Sequence, residues 1–122
     1  MEKEPYEILF AEFMKDYASG TISGENVGEL IAKLAGYYPN YNADLVKAER
    51  SYALITRDEI MKTDPLTGKA ISATKADTLA SASSEAAIYK KAKSHMQNLD
   101  MLIQSAKYLQ KGLLQEMINS NL

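Results

Sequence analysis

A chain of 122 residues, 46% apolar and 25% charged, has the make-up of one ordinary globular domain and argues against disorder throughout. It has no cysteine and one histidine, His95, which excludes a disulfide framework and a self-sufficient zinc site. The net charge of −2 excludes a global polycation, and no run approaches the roughly 20 apolar residues that span a bilayer.

Residues 5 to 18 read as a first helix. Pro5 suits a first helical turn, where its missing N–H costs nothing. Ile8, Leu9, Phe10, Phe13 and Tyr17 make an apolar stripe, and Ser19-Gly20-Thr21 ends it. A second helix starts after Ser23. Glu25 complements its N-terminal dipole, and Val27, Leu30, Ile31 and Leu34 fall on one face. Gly36 and Pro39 close it, so Tyr37-Tyr38-Pro39-Asn40-Tyr41 reads as an aromatic linker.

A third helix is expected over about 42–62, where Tyr41, Leu45, Ala48, Tyr52 and Ile55 step by four and three. The segment Thr63-Asp64-Pro65-Leu66-Thr67-Gly68-Lys69 is turn chemistry and the clearest break in the chain. Ser72 then suits the N-cap of a helix over about 73–119, a stretch without proline. Tyr89, Ala92, Met96, Leu99, Ile103, Ala106, Gln110, Leu113 and Met117 keep strict 4-3 steps there. Such a helix is about 70 Å long at 1.5 Å per residue, whereas a domain of this size has a radius of gyration near 13–14 Å. Part of its stripe is therefore expected to meet the third helix and the rest another copy of the chain.

The expected fold is all-α: a single domain over 1–122, with acidic N-terminal helices over 5–38 packed on a long helical hairpin over 42–119. Met96, Leu99, Ile103, Ala106, Gln110, Leu113 and Met117 are the expected oligomerisation residues, with Gln110 setting register.

No catalytic constellation emerges. Leu66-Thr67-Gly68-Lys69 shares only the end of a phosphate-binding loop and reads as a turn. Asp58-Glu59 are helical neighbours that do not face each other. The expectation is a protein that is not an enzyme and needs no cofactor or metal.

Charge is unevenly spread. From Met1 to Leu30, seven acids stand against Lys3 and Lys15, a balance of −5; from Lys47 to Lys111, eleven Lys/Arg stand against seven Asp/Glu, a balance of +4. The basic body either meets an anionic partner or is an ordinary solvated face. Lys90, Lys91 and Lys93 cluster within two helical turns, and Arg50 and Arg57 lie two turns apart on the preceding helix. If the helices pair, these five residues form one basic strip for single-stranded nucleic acid, with Tyr52 or Tyr89 as stacking platforms or as core.

The order of these features resembles the phage recombination-mediator proteins of the UvsY family. The resemblance runs over about residues 42–115 and rests on Ala48-Glu49-Arg50-Ser51-Tyr52-Ala53-Leu54, the Thr67-Gly68-Lys69-Ala70 break, and Tyr89-Lys90-Lys91-Ala92-Lys93 leading into Leu99 and Ile103. The family's Lys-Ala-Arg-Arg type run has its nearest counterpart in Leu54-Ile55-Thr56-Arg57, with one arginine. The resemblance implies an accessory protein that forms a homo-oligomer, binds single-stranded DNA, and helps a recombinase replace a single-strand-binding protein. The alternative is a structural or adaptor protein, such as a virion component, whose helices only assemble. The acidic N-terminus lacks an apolar signal core, so the expected compartment is the cytoplasm, that of a host cell if the chain is phage-encoded.

Overall fold

A computed structural model describes residues 3–20, 22–63 and 66–120, apart from the side chains of Met117, Asn119 and Ser120. The chain is all-α. Its helices are α1 (Pro5–Ala18), α2 (Gly24–Gly36), α3 (Tyr38–Ile60), α4 (Ala73–Ser81) and α5 (Ser84–Ser120). Among the described residues the only β pairing is one isolated bridge, Thr63 to Ala70. The parts of the expected turns that fall on Thr21, Asp64 and Pro65 lie outside the described residues.

Local chemistry sets most of the helix ends. Pro5 occupies the first turn of α1, and Ser19 closes it, its Oγ donating to the Asp16 carbonyl at 2.7 Å. Gly20 then turns the chain at φ +79°, a conformation that glycine adopts without steric cost. Ser23 and Asn26 form a reciprocal cap at the start of α2. The Asn26 N–H donates to Ser23 Oγ at 3.4 Å, and the Ser23 N–H donates to Asn26 Oδ1 at 3.0 Å. After α3, Gly68 at φ +68° turns the chain back, and the Ile71 N–H returns to the Lys62 carbonyl at 3.3 Å. Ser72 caps α4 by accepting from the Lys75 N–H at 3.2 Å.

Two expectations are corrected. The aromatic linker is a single turn residue, Tyr37, because α3 begins at Tyr38 and takes Pro39 into its first turn. The helix expected over 73–119 is two helices, parted at Ala82 and Ser83. Ser83 makes the break. Its Oγ bonds back to the Ala80 carbonyl and accepts from the Ala86 N–H at 3.2 Å, so it ends α4 and caps α5 together.

The chain divides into two compact units, residues 1–39 with 97–122, and residues 40–96. In the first, α2 buries Val27, Leu30 and Leu34 at helical spacing, and α1 buries Tyr6 completely. The Tyr6 side chain hydrogen-bonds with that of Asn98 on α5. The buried face of α5 in this unit is Leu99 and Ala106. In the second unit the buried residues are mostly alanines: Ala48 on α3, Ala76 and Ala80 on α4, and Ala86 and Ala92 on α5, with Met96 as the one large side chain among them. Tyr52 of α3 stacks on Tyr89 of α5, with centroids 5.5 Å apart, and Tyr41 lies against His95 at 5.6 Å. Along these pairs α3 and α5 run in opposite directions.

Tyr6 supplies a test of the first unit. Burial pushes its phenol above the ordinary value of 10.0, Glu7 and Glu4 add to the rise, and the Asn98 hydrogen bond opposes it. A raised folded-state value gives stability that is present below the unfolded value and lost as pH climbs through the folded one. Tyr6→Phe should cost about 1 kcal/mol near neutrality, the worth of one hydrogen bond. That deficit should shrink in alkaline solution, where only the wild type has this phenol to ionise. Urea denaturation followed by circular dichroism, at about pH 8 and again about one unit above the ordinary tyrosine value, reads both effects.

Candidate nucleic-acid interface

The basic residues singled out in the sequence all belong to the 40–96 unit. Arg50, Arg57, Lys90, Lys91 and Lys93 are all exposed. Their placement follows from the stacked tyrosines, which fix the side of each helix that meets the other. At 100° per residue, Arg50 and Arg57 stand roughly 160° and 140° round α3 from Tyr52. Both therefore lie on the face of α3 turned away from α5. On α5, Lys93, Lys90 and Lys91 stand at roughly 40°, 100° and 200° from Tyr89 in one rotational sense, so they spread over the solvent side of the helix across an arc of about 160°. The lysines form a basic sector round α5, and the arginines form a separate patch on α3.

The electrostatics of the sector and the patch differ. Among the described residues the ion pairs are Arg57 with Asp58 at 3.9 Å and Lys62 with Glu59 at 2.8 Å. Both Arg57 and Asp58 are well exposed, so solvent screens that pair and it adds little to stability. The three lysines have no ion pair among the described residues. Their charge is open to an anion in solution.

Tyr52 and Tyr89 are half-buried and lie nearly parallel, 10° apart in plane, each against the other. Each ring thus has one face covered by the other. His95 is placed similarly: its ring packs on Tyr41 and its Nε2 is buried.

The oligomerisation seam is largely turned inward. Met96, Leu99 and Ala106 are buried by the chain itself, and Ile103 and Leu113 are half-buried. Gln110 is engaged inside the chain. Its Nε2 donates to the Gly24 carbonyl at 3.5 Å and lies 3.2 Å from where a Cβ on Gly28 would sit. The Met117 side chain lies outside the described residues. The exposed apolar groups near this end of α5 are instead Leu114 and Ile118, at 48% and 59%. They flank the 4-3 seam.

Two grooves mark the first unit. One of about 220 Å³, between α1 and α2, is lined by the apolar Leu9, Phe13 and Leu30 and by the charged Glu12, Asp16, Glu29 and Lys33, among others. The other, of about 460 Å³, is lined by Ser23, Gly24 and Glu25 of α2 and by Gln110, Leu113 and Leu114 of α5. Among the described residues no group of His, Asp or Glu is placed to hold a metal ion, and no helix is long and apolar enough to cross a membrane. No protein-family model, no curated protein and no solved structure matches the chain.

A double-mutant cycle tests the tyrosine stack. Tyr52→Ala, Tyr89→Ala and the double variant should give a coupling of about 0.5–1.5 kcal/mol in urea denaturation, the range for paired aromatic rings. Additive losses would mean that the rings do not support each other.

Proposed function

We propose that this chain is a non-enzymatic accessory protein that self-associates and holds single-stranded DNA, as the phage recombination mediators it resembles do. Its scaffold is the helical hairpin of α3 and α5, and it works in the cytoplasm beside a recombinase and a single-strand-binding protein. The observation that carries this reading is the sector formed by Lys90, Lys91 and Lys93, exposed and without ion pairs among the described residues. Three ammonium groups spread round the solvent side of one helix within two turns are suited to a flexible polyanion that can wrap to reach them. Arg50 and Arg57 supply a separate patch on α3.

The same geometry sets the kind of binding. With Tyr52 and Tyr89 stacked on each other, affinity comes from counterion release and carries no base sequence. One subunit offers few phosphate contacts, so its binding is weak. An oligomer repeats the sector along one strand and gains affinity through effective concentration. A second reading, assembly without nucleic acid, is favoured by the exposed Leu114 and Ile118, which suit a helical adaptor equally well.

Fluorescence anisotropy of a labelled oligonucleotide at low salt separates the two. The wild type should bind, with affinity falling steeply as salt rises. Replacing Lys90, Lys91 and Lys93 with alanine should lower the slope of log affinity against log salt by about 2, at roughly 0.7 per phosphate contact. Arg50→Ala with Arg57→Ala should have a smaller, separate effect. No binding by the wild type, or a triple variant that binds unchanged, leaves the assembly reading in place of this one.

A further inference from the structure

We infer that the groove between the start of α2 and the end of α5 receives the Leu114–Ile118 edge of a second copy of this chain, in a two-fold contact that each copy makes with the other. The inference rests on the self-association just proposed and names its surface. That surface meets the 4-3 seam at Gln110 and Leu113 and leaves out Met96, Leu99 and Ala106, which are already covered within one chain.

The shape argument starts from α5. Leu114 and Ile118 are one turn apart, so they form a single apolar edge. Leu114 also lines the groove, next to Leu113 and Gln110. Groove and edge are therefore adjacent parts of one surface. A patch that carries both a recess and the ridge to fill it is self-complementary, which is the requirement of a two-fold contact. Burying Leu114 and Ile118 of both copies removes four large apolar side chains from water.

Charge identifies the occupant as another copy. The α2 side of the groove carries Glu25, and α5 carries Lys111 one turn before Leu114. Both are exposed, and neither is in an ion pair among the described residues. In a two-fold contact Lys111 of each chain meets Glu25 of the other, so the pair forms twice. Gln110 already donates to the Gly24 carbonyl inside the chain.

The test is sedimentation equilibrium of the full chain, with circular dichroism as the check on folding. Leu114→Asp and Ile118→Asp, both at exposed positions, should keep the helical spectrum and weaken association by at least about tenfold, as loss of a central apolar anchor does. Glu25→Lys or Lys111→Glu alone should weaken it by roughly two- to tenfold, since each removes a surface pair that occurs twice. The double reversal should restore it. A wild type that stays monomeric overturns this inference together with the self-association it rests on. A wild type that associates, with an assembly indifferent to all of these changes, overturns the groove alone and leaves self-association standing.

Discussion

Burial of the α5 seam within its own chain is the constraint on which the other features depend. Ala92, Met96, Leu99 and Ala106 step by four, three and seven along one line and are all covered. Once that line faces inward, every other position on α5 has a determined exposure. Lys90, Lys91 and Lys93 flank the line and reach water; Leu114 and Ile118 sit past its edge and stay half-open. The seam is covered at close range. Alanines at Ala92 and Ala106 present little bulk, and at Gly28 a side chain would press on Gln110. The same economy of volume runs through α4, whose buried residues are two alanines. Small residues give short interhelical distances but little apolar area, so such packing contributes modestly per residue.

The aromatic residues follow from that scarcity. Where the helices of the 40–96 unit bury mostly alanine, the stack of Tyr52 on Tyr89 and the contact of Tyr41 with His95 supply the larger ring surfaces. A stacked pair with centroids 5.5 Å apart adds to its buried area a directional preference, which fixes the register between α3 and α5. Holding register this way covers one face of each ring. Any anionic partner of the basic sector then meets ammonium groups and little else. Such a site is strong in low salt, weak in high salt and indifferent to sequence.

What the sequence made legible was local. Pro5 at the start of α1, the Ser23 cap of α2 and the Ser72 cap of α4 are short-range chemistry, and each stands where a reading of adjacent residues puts it. The misreadings also have local causes. Pro39 was open to two meanings, the end of α2 or the first turn of α3, and only the backbone shows that the second applies. The break at Ser83 is hidden because Ser81, Ser83 and Ser84 sit in an alanine-rich run whose composition favours helix. Its cause is a side-chain oxygen that competes with the backbone, a matter of geometry. In the candidate interface, the five basic residues could be chosen by type and spacing. Their division into a sector and a patch depends on how α3 is rotated about its axis, and the Tyr52 contact sets that rotation.

Periodicity tells which face of a helix is apolar; it does not tell how much of that face one neighbour can cover. The apolar arc near the end of α5 is wide. Leu114 lies roughly 80° and Ile118 roughly 120° round the helix from the buried Ala106. A single packed layer covers a stripe of about 100°, so residues at that angle from its centre line fall outside it. Core and association surface therefore need not compete for the same side chains. The inner part of the arc holds the chain's own fold together. The outer part, with Lys111 and Glu25 near it, stays exposed and is the surface proposed for association. A polar substitution on the inner line and one on the outer edge should accordingly fail in different ways, the first by loss of helix packing and the second by loss of a partner with the fold intact.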